Sequence, residues 1–165
     1  MIGLLVTENQ QLRLIAKALG EQENGKELRR ELAKEIRLAL APAAKEARAG
    51  IKAMPSAGTL PSDGPPLRAT IARRVRAQAK LSGRYVGARV RVGKKNMPRD
   101  FAMAARRTNR RKGWRHPVHG NTNNWVTQTG NPGWFDDPMR RGKPRYRRAV
   151  LEAMDRIARK ITRKV

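Results

Sequence analysis

Apolar residues recur at steps of three and four from Leu28 to Ile51, through Leu32, Ile36, Leu40, Ala44 and Ala47. That period puts all seven on one face of a helix and predicts a helix over residues 26–53. Glu27, Arg30, Glu31, Lys34, Glu35 and Arg37 fill the other positions of its first half. Opposite charges three apart there, Glu27 with Arg30 and Glu31 with Lys34, add about 0.2–0.5 kcal/mol per pair. Pro42 falls inside the pattern. It has no N–H, and its ring clashes with the preceding turn, so the helix must kink or split there.

Something has to cover that apolar stripe, and two other periods in the chain supply it. Residues 1–7 are apolar and partly β-branched and read as a short strand, followed by a helix over 9–19 that Gly20 ends. From Arg74 to Lys80, basic or polar residues alternate with Val75, Ala77 and Ala79. After a Gly83 turn, Val86, Ala88, Val90 and Val92 alternate with Gly87, Arg89, Arg91 and Gly93. Two period-two runs around a glycine turn predict a β-hairpin. One face is small and apolar, and the other carries Arg74, Arg76, Lys80, Arg89 and Arg91. A lone hairpin is marginal in water, so the long helix or a third strand must cover its apolar face. Residues 67–72 read as a helical turn, 94–124 as irregular with a short helix near 99–107, and 144–163 as a terminal helix. Pro144 after Gly142 marks the start of that helix, and Val150, Met154, Ile157 and Ile161 mark its buried stripe. The expected fold class is α+β: a single domain over 1–165, with a long kinked N-terminal helix and a C-terminal helix packed on a small antiparallel β-sheet (the basic hairpin). Residues 54–66 hold four prolines and two glycines and read as a flexible loop.

The chain carries 38 Lys+Arg against 13 Asp+Glu, a formal net charge of +25. Such an excess governs partners rather than fold. It is local: 17 basic residues and a single acid, Asp100, lie between Arg68 and Arg115, whereas seven of the 13 acids precede residue 50. A second basic strip, Arg147, Arg148, Arg156, Arg159 and Lys160, lies on the terminal helix. Composition leaves a nucleic acid and an acidic protein surface equally open as partners. There is no apolar run long enough to span a membrane. Met1 to Val6 is too short for a secretory segment, so the expected origin is cytoplasmic. With no cysteine, disulfides, thiolate metal sites and Cys nucleophiles are absent.

Catalytic signatures are not legible. His116 and His119 are two ligands at most, where a structural zinc needs four and a catalytic one three. Asp136 and Asp137 are adjacent and do not converge as an acid/base pair. They suit the start of a helix, or pairing with Arg140 and Arg141. No phosphate-binding glycine loop or Ser-His-Asp order occurs. No cofactor and no metal are expected. The residues assigned to docking are Arg74, Arg76, Arg89, Arg91, Arg106, Arg107, Arg110, Arg111, Trp114, Arg115, His116 and Trp125. Trp134 and Phe135 read as core.

The order of features continues through Arg115-His116-Pro117, Gly120-Asn121, Trp125 and Trp134-Phe135 into an Arg/Ala-rich helix. In this the chain resembles the tail-completion, or minor tail-component, family of long-tailed bacteriophages related to the lambda minor tail protein Z. The similarity runs from about Leu28 to Ile161, with Pro117, Gly120, Asn121, Trp134 and Phe135 as structural members of the motif. The resemblance implies a non-enzymatic virion protein of the neck, where the tail meets the head, made in the host cytoplasm. It implies a homo-oligomeric ring of six subunits that touches the tail terminator, the head-closure or adaptor proteins and the tail tube. DNA passing through the ring would be bound without sequence specificity. The alternative reading is a basic nucleic-acid-binding module.

Overall fold

The computed structural model describes residues 3–7, 10–55, 66–83, 86–95, 97, 101–118 and 121–162. The fold is α+β. In chain order the elements are β1 (Gly3–Thr7), α1 (Gln10–Glu21), α2 (Gly25–Ala39), α3 (Ala41–Lys52), α4 (Leu67–Arg74), β2 (Val75–Lys80), β3 (Gly87–Val92), α5 (Ala104–Asn109), β4 (Trp114–Val118), β5 (Asn121–Gln128) and α6 (Asp136–Thr162). Most of the expected 54–66 loop lies outside the described residues, as do His119 and Gly120.

All seven residues of the stripe from Leu28 to Ile51 are buried. They are shared between α2 and α3, with Leu40 between the two helices and Pro42 in the first turn of α3. Leu40 N–H still donates to Ile36 O, and Ala44 N–H to Leu40 O, so backbone bonding spans the junction.

Three antiparallel strands form the main sheet in the order β1-β3-β2. Val75 faces Val92, Ala77 faces Val90 and Ala79 faces Ala88 across β2 and β3. Side chains alternate between faces along a strand, so these six share one face. Val75, Ala88, Val90 and Val92 on that face are buried, and α2 and α3 pack against β2 while α6 packs against β1. Arg74, expected on the sheet, is instead the last residue of α4.

The terminal helix begins eight residues earlier than its Gly142-Pro144 signal predicts. Pro144 sits in its interior, a position that costs about 3 kcal/mol in an isolated helix. The apolar face of α6 outweighs that cost, since Met139, Tyr146, Val150, Ala153, Met154 and Ile157 are all buried. Gly142 has a packing role there, because a Cβ on it would lie 2.4 Å from the Tyr146 ring.

Helix α6 runs antiparallel to α2 and α3 and is tied to them by charge. Lys160 pairs with Glu31, Arg156 with Glu35 at 3.2 Å, and Arg145 with Glu46 at 2.5 Å. Each step forward along α2 and α3 is matched by the same step back along α6: four residues, then eleven. Eleven residues are close to three turns, so the acids keep one helical face across the Leu40 junction. This corrects the expected basic strip of α6, because two of its five members, Arg156 and Lys160, are neutralised within the fold.

Candidate docking surfaces

The segment expected to be irregular, residues 94–124, contains α5 and the first strand of a second antiparallel pair, β4 with β5. Pro117 and an Asn-rich second strand carry weak β-propensity, so the backbone pairing itself defines this ribbon. Trp114 pairs with Gln128, Arg115 with Thr127, His116 with Val126 and Pro117 with Trp125.

The ribbon is rooted on two buried polar residues at the end of α5. Thr108 Oγ1 donates to Ala104 O at 2.9 Å and accepts the Trp134 indole N–H at 3.1 Å. Asn109 Oδ1 accepts Phe135 N–H at 2.9 Å, Asn109 Nδ2 donates to Asp136 Oδ2 at 2.6 Å, and Asn109 O accepts Gly133 N–H at 3.0 Å. One carboxamide therefore satisfies the backbone where α6 begins, a place that otherwise leaves orphan donors. Trp134 and Phe135 are buried beside it, edge to face with centroids 5.7 Å apart. Two glycines let the ribbon leave and rejoin this root. Gly113 adopts φ +66°, and a Cβ on Gly130 would lie 2.5 Å from Thr108 O.

Beyond the root the ribbon is open. Every residue of β5 is exposed, including Trp125 at 46% and Val126 at 39%. Alternation puts Arg115, Pro117, Trp125 and Thr127 on one face. The Arg115 guanidinium lies 5.7 Å from the Trp125 ring centroid, and the indole N–H donates to Thr122 O at 2.7 Å. On the other face the His116 ring bonds Gln128 through Nε2 at 3.1 Å, and Trp114 is half-buried. Arg106, Arg107, Arg110 and Arg111 are exposed on α5 and the turn leading into β4. Arg111 is drawn to Asp137 at 3.6 Å, and Arg140 to the same carboxylate at 3.0 Å.

Arg76, Arg89 and Arg91 lie elsewhere, together on the sheet face opposite the core. Arg76 is directly across from Arg91, and Arg89 across from Gln78, which accepts its Nε–H at 2.9 Å. Apart from Arg74, at the end of α4, the expected docking residues thus divide between two surfaces, the ribbon with its base and the sheet face.

Thr108 and Asn109 escape a sequence reading because they sit inside the run Arg106-Arg107-Thr108-Asn109-Arg110-Arg111-Lys112, which reads as solvated charge. The short polar pair closing a helix was the available signal. Among the described residues, no group of three or more His, Asp or Glu side chains is placed to hold a metal ion, and no helix is long and apolar enough to cross a membrane.

No protein-family model, curated protein or solved structure matches this chain.

Proposed function

We propose that this chain is a non-enzymatic structural protein of a phage head–tail connector, acting in tail completion as a subunit of a ring. The observation that carries the reading is the ribbon. A two-stranded hairpin is marginal on its own in water, yet this one stands away from the core with Trp125 and Val126 exposed. A large aromatic beside an arginine is the composition of an interface anchor. The motif behind the family resemblance also divides sensibly. Arg115, His116, Pro117, Asn121 and Trp125 lie on the ribbon, and Trp134 and Phe135 at its root.

On this reading the body is a rigid support. Helices α2 and α3, parted at Leu40, back β2 of the basic hairpin, and α6 backs β1. The ribbon reaches a neighbouring subunit or an adjacent ring, with the tail terminator, head-closure or adaptor proteins and tail tube as partners. The exposed arginines of α5 meet acidic groups on that neighbour. A projecting arm on a fixed root suits assembly better than catalysis, which needs a concave site with converging groups.

Cryo-EM of the assembled particle tests the proposal. A ring of this chain at the head–tail junction, with β4–β5 buried against another subunit, is the expected result. Particles that lack the chain, or a ring whose ribbon points into open solvent, would overturn it. Trp125→Asp should also leave heads and tails unjoined while the purified chain stays folded.

A further inference from the structure

We infer that the outer face of the β1-β3-β2 sheet is a binding surface for the sugar–phosphate backbone of a nucleic acid. Arg76, Gln78 and Lys80 of β2 share this face with Arg89 and Arg91 of β3, because their partners across the ladder are Arg91, Arg89 and Gly87. The face is open: Arg76 and Lys80 are exposed, and Arg89 and Arg91 are half-exposed even though β3 is the central strand. Among the described residues, no carboxylate pairs with any of these four cations.

Like charges directly opposite on neighbouring strands repel. Residues two apart on a strand are separated by about 6.8 Å, less than the ~8 Å screening length at physiological salt. The four cations therefore feel one another, and an external polyanion relieves them by displacing the loosely held counterions. Gln78 engages the Arg89 Nε–H, which leaves the two terminal amino groups of that guanidinium for another acceptor. Arginine forks match phosphate oxygens in pairs.

The chemistry of the face favours phosphate over an acidic protein. Protein interfaces centre on an apolar or aromatic patch depleted of charge. Here β2 and β3 give the face Arg76, Gln78, Lys80, Arg89 and Arg91, and the β1 register adds only Gly3 opposite Arg91 and Leu5 opposite Arg89, so charge and not an apolar patch makes its centre. Backbone phosphate binding needs no apolar centre, and it carries no sequence preference. The apolar anchors sit on the ribbon instead, so the inference stands independently of the role proposed for the ribbon.

The test uses the full chain and a fluorescein-labelled random-sequence DNA duplex, with affinity read by anisotropy across a salt series. The slope of log K against log salt drops by about 0.9 for each phosphate that the protein no longer neutralises. The triple variant R76Q/R89Q/R91Q should therefore lower the slope by about 2.7. R147Q/R148Q/R159Q removes the same charge from exposed positions on α6 and should leave the slope near that of the parent. R76K/R89K/R91K keeps the charge and should keep the slope. On the unmutated chain, DNA should protect Arg76, Arg89 and Arg91 from an arginine-modifying reagent while Arg147 and Arg148 react freely, a readout that does not depend on a variant folding. Equal losses from the sheet and α6 triples would mean that net charge alone binds DNA, and would overturn the inference. So would a slope carried by Arg106, Arg107 and Arg110, or polyglutamate competing as well as DNA at equal charge. W125A should bind DNA as the parent does, which separates this result from the fate of the ribbon proposal.

Discussion

Asn109 Nδ2 donates to Asp136 Oδ2 at 2.6 Å while Asn109 Oδ1 accepts the N–H of Phe135, so one buried carboxamide ties the end of α5 to the start of α6. The ribbon between them leaves from and returns to this single clamp. Asn109→Ala removes both bonds and leaves a buried backbone donor unpaired, a loss of about 1–3 kcal/mol. Thermal unfolding should register it, and amide exchange in β4 and β5 should quicken more than in β2 and β3. Unchanged stability would show that the clamp does not matter.

The three tryptophans should separate cleanly by stability. Trp134 is 3% exposed and hydrogen-bonded to Thr108, so Trp134→Ala should cost about 3–5 kcal/mol. Trp125→Ala, at an exposed position, should change stability by less than about 0.5 kcal/mol. Urea titrations of the two variants make the comparison, and the half-buried Trp114 should fall between them when changed to Ala.

Glu35 and Arg156 hold the middle of the antiparallel ladder between α2 and α6 at 3.2 Å. Both side chains are partly exposed, so the pair is worth about 0.2–1 kcal/mol. Glu35→Arg should destabilise, Arg156→Glu likewise, and the double swap should recover most of the loss. A double-mutant cycle at low and high salt checks this, with coupling that shrinks as salt rises.

The Tyr146 hydroxyl donates to Glu46 Oε2 at 2.8 Å and accepts from Arg145 at 3.1 Å. Burial, and then the bond to Glu46, raise its pKa above the ordinary 10.0. A raised value means the folded state holds the proton more tightly than the unfolded chain does. The resulting stability is fully present below about pH 10 and is lost as pH climbs through the folded value. Tyr146→Phe should cost about 0.5–1.5 kcal/mol at neutral pH and should lose stability less steeply above pH ~10 than the parent. Denaturant unfolding between neutral and strongly alkaline pH measures both.

Arg76 and Arg91 oppose each other across β2 and β3. In the absence of any polyanion, Arg91→Gln should stabilise the protein by about 0.2–1 kcal/mol, an effect that fades in high salt. A loss of stability at low salt would show that the pair is compensated within the fold.

Elements built on a regular period could be read directly from the residues. The stripe from Leu28 to Ile51, the alternation of β2 and β3, and the Val150–Met154–Ile157 face each repeat often enough for geometry to follow from spacing alone. Trp134-Phe135 was legible as core for a similar reason, being bulky and apolar in a polar setting. The rest was decided by segments far apart in the chain meeting one another. The ribbon β4–β5 has no clean alternation, since Pro117 and Asn121 to Asn124 give it little local preference, and only cross-strand pairing on the Thr108-Asn109 root defines it. Gly142 and Pro144 read as helix punctuation, yet the Tyr146 ring needs the space at Gly142, and the buried face of α6 overrides the proline. The excess positive charge was plain from the composition. Its distribution was not, because Glu31, Glu35 and Glu46 pair with Lys160, Arg156 and Arg145 of α6 only once the helices lie antiparallel. Local periods act over one or two turns of chain, whereas caps, ion-pair ladders and open faces exist only after distant residues meet.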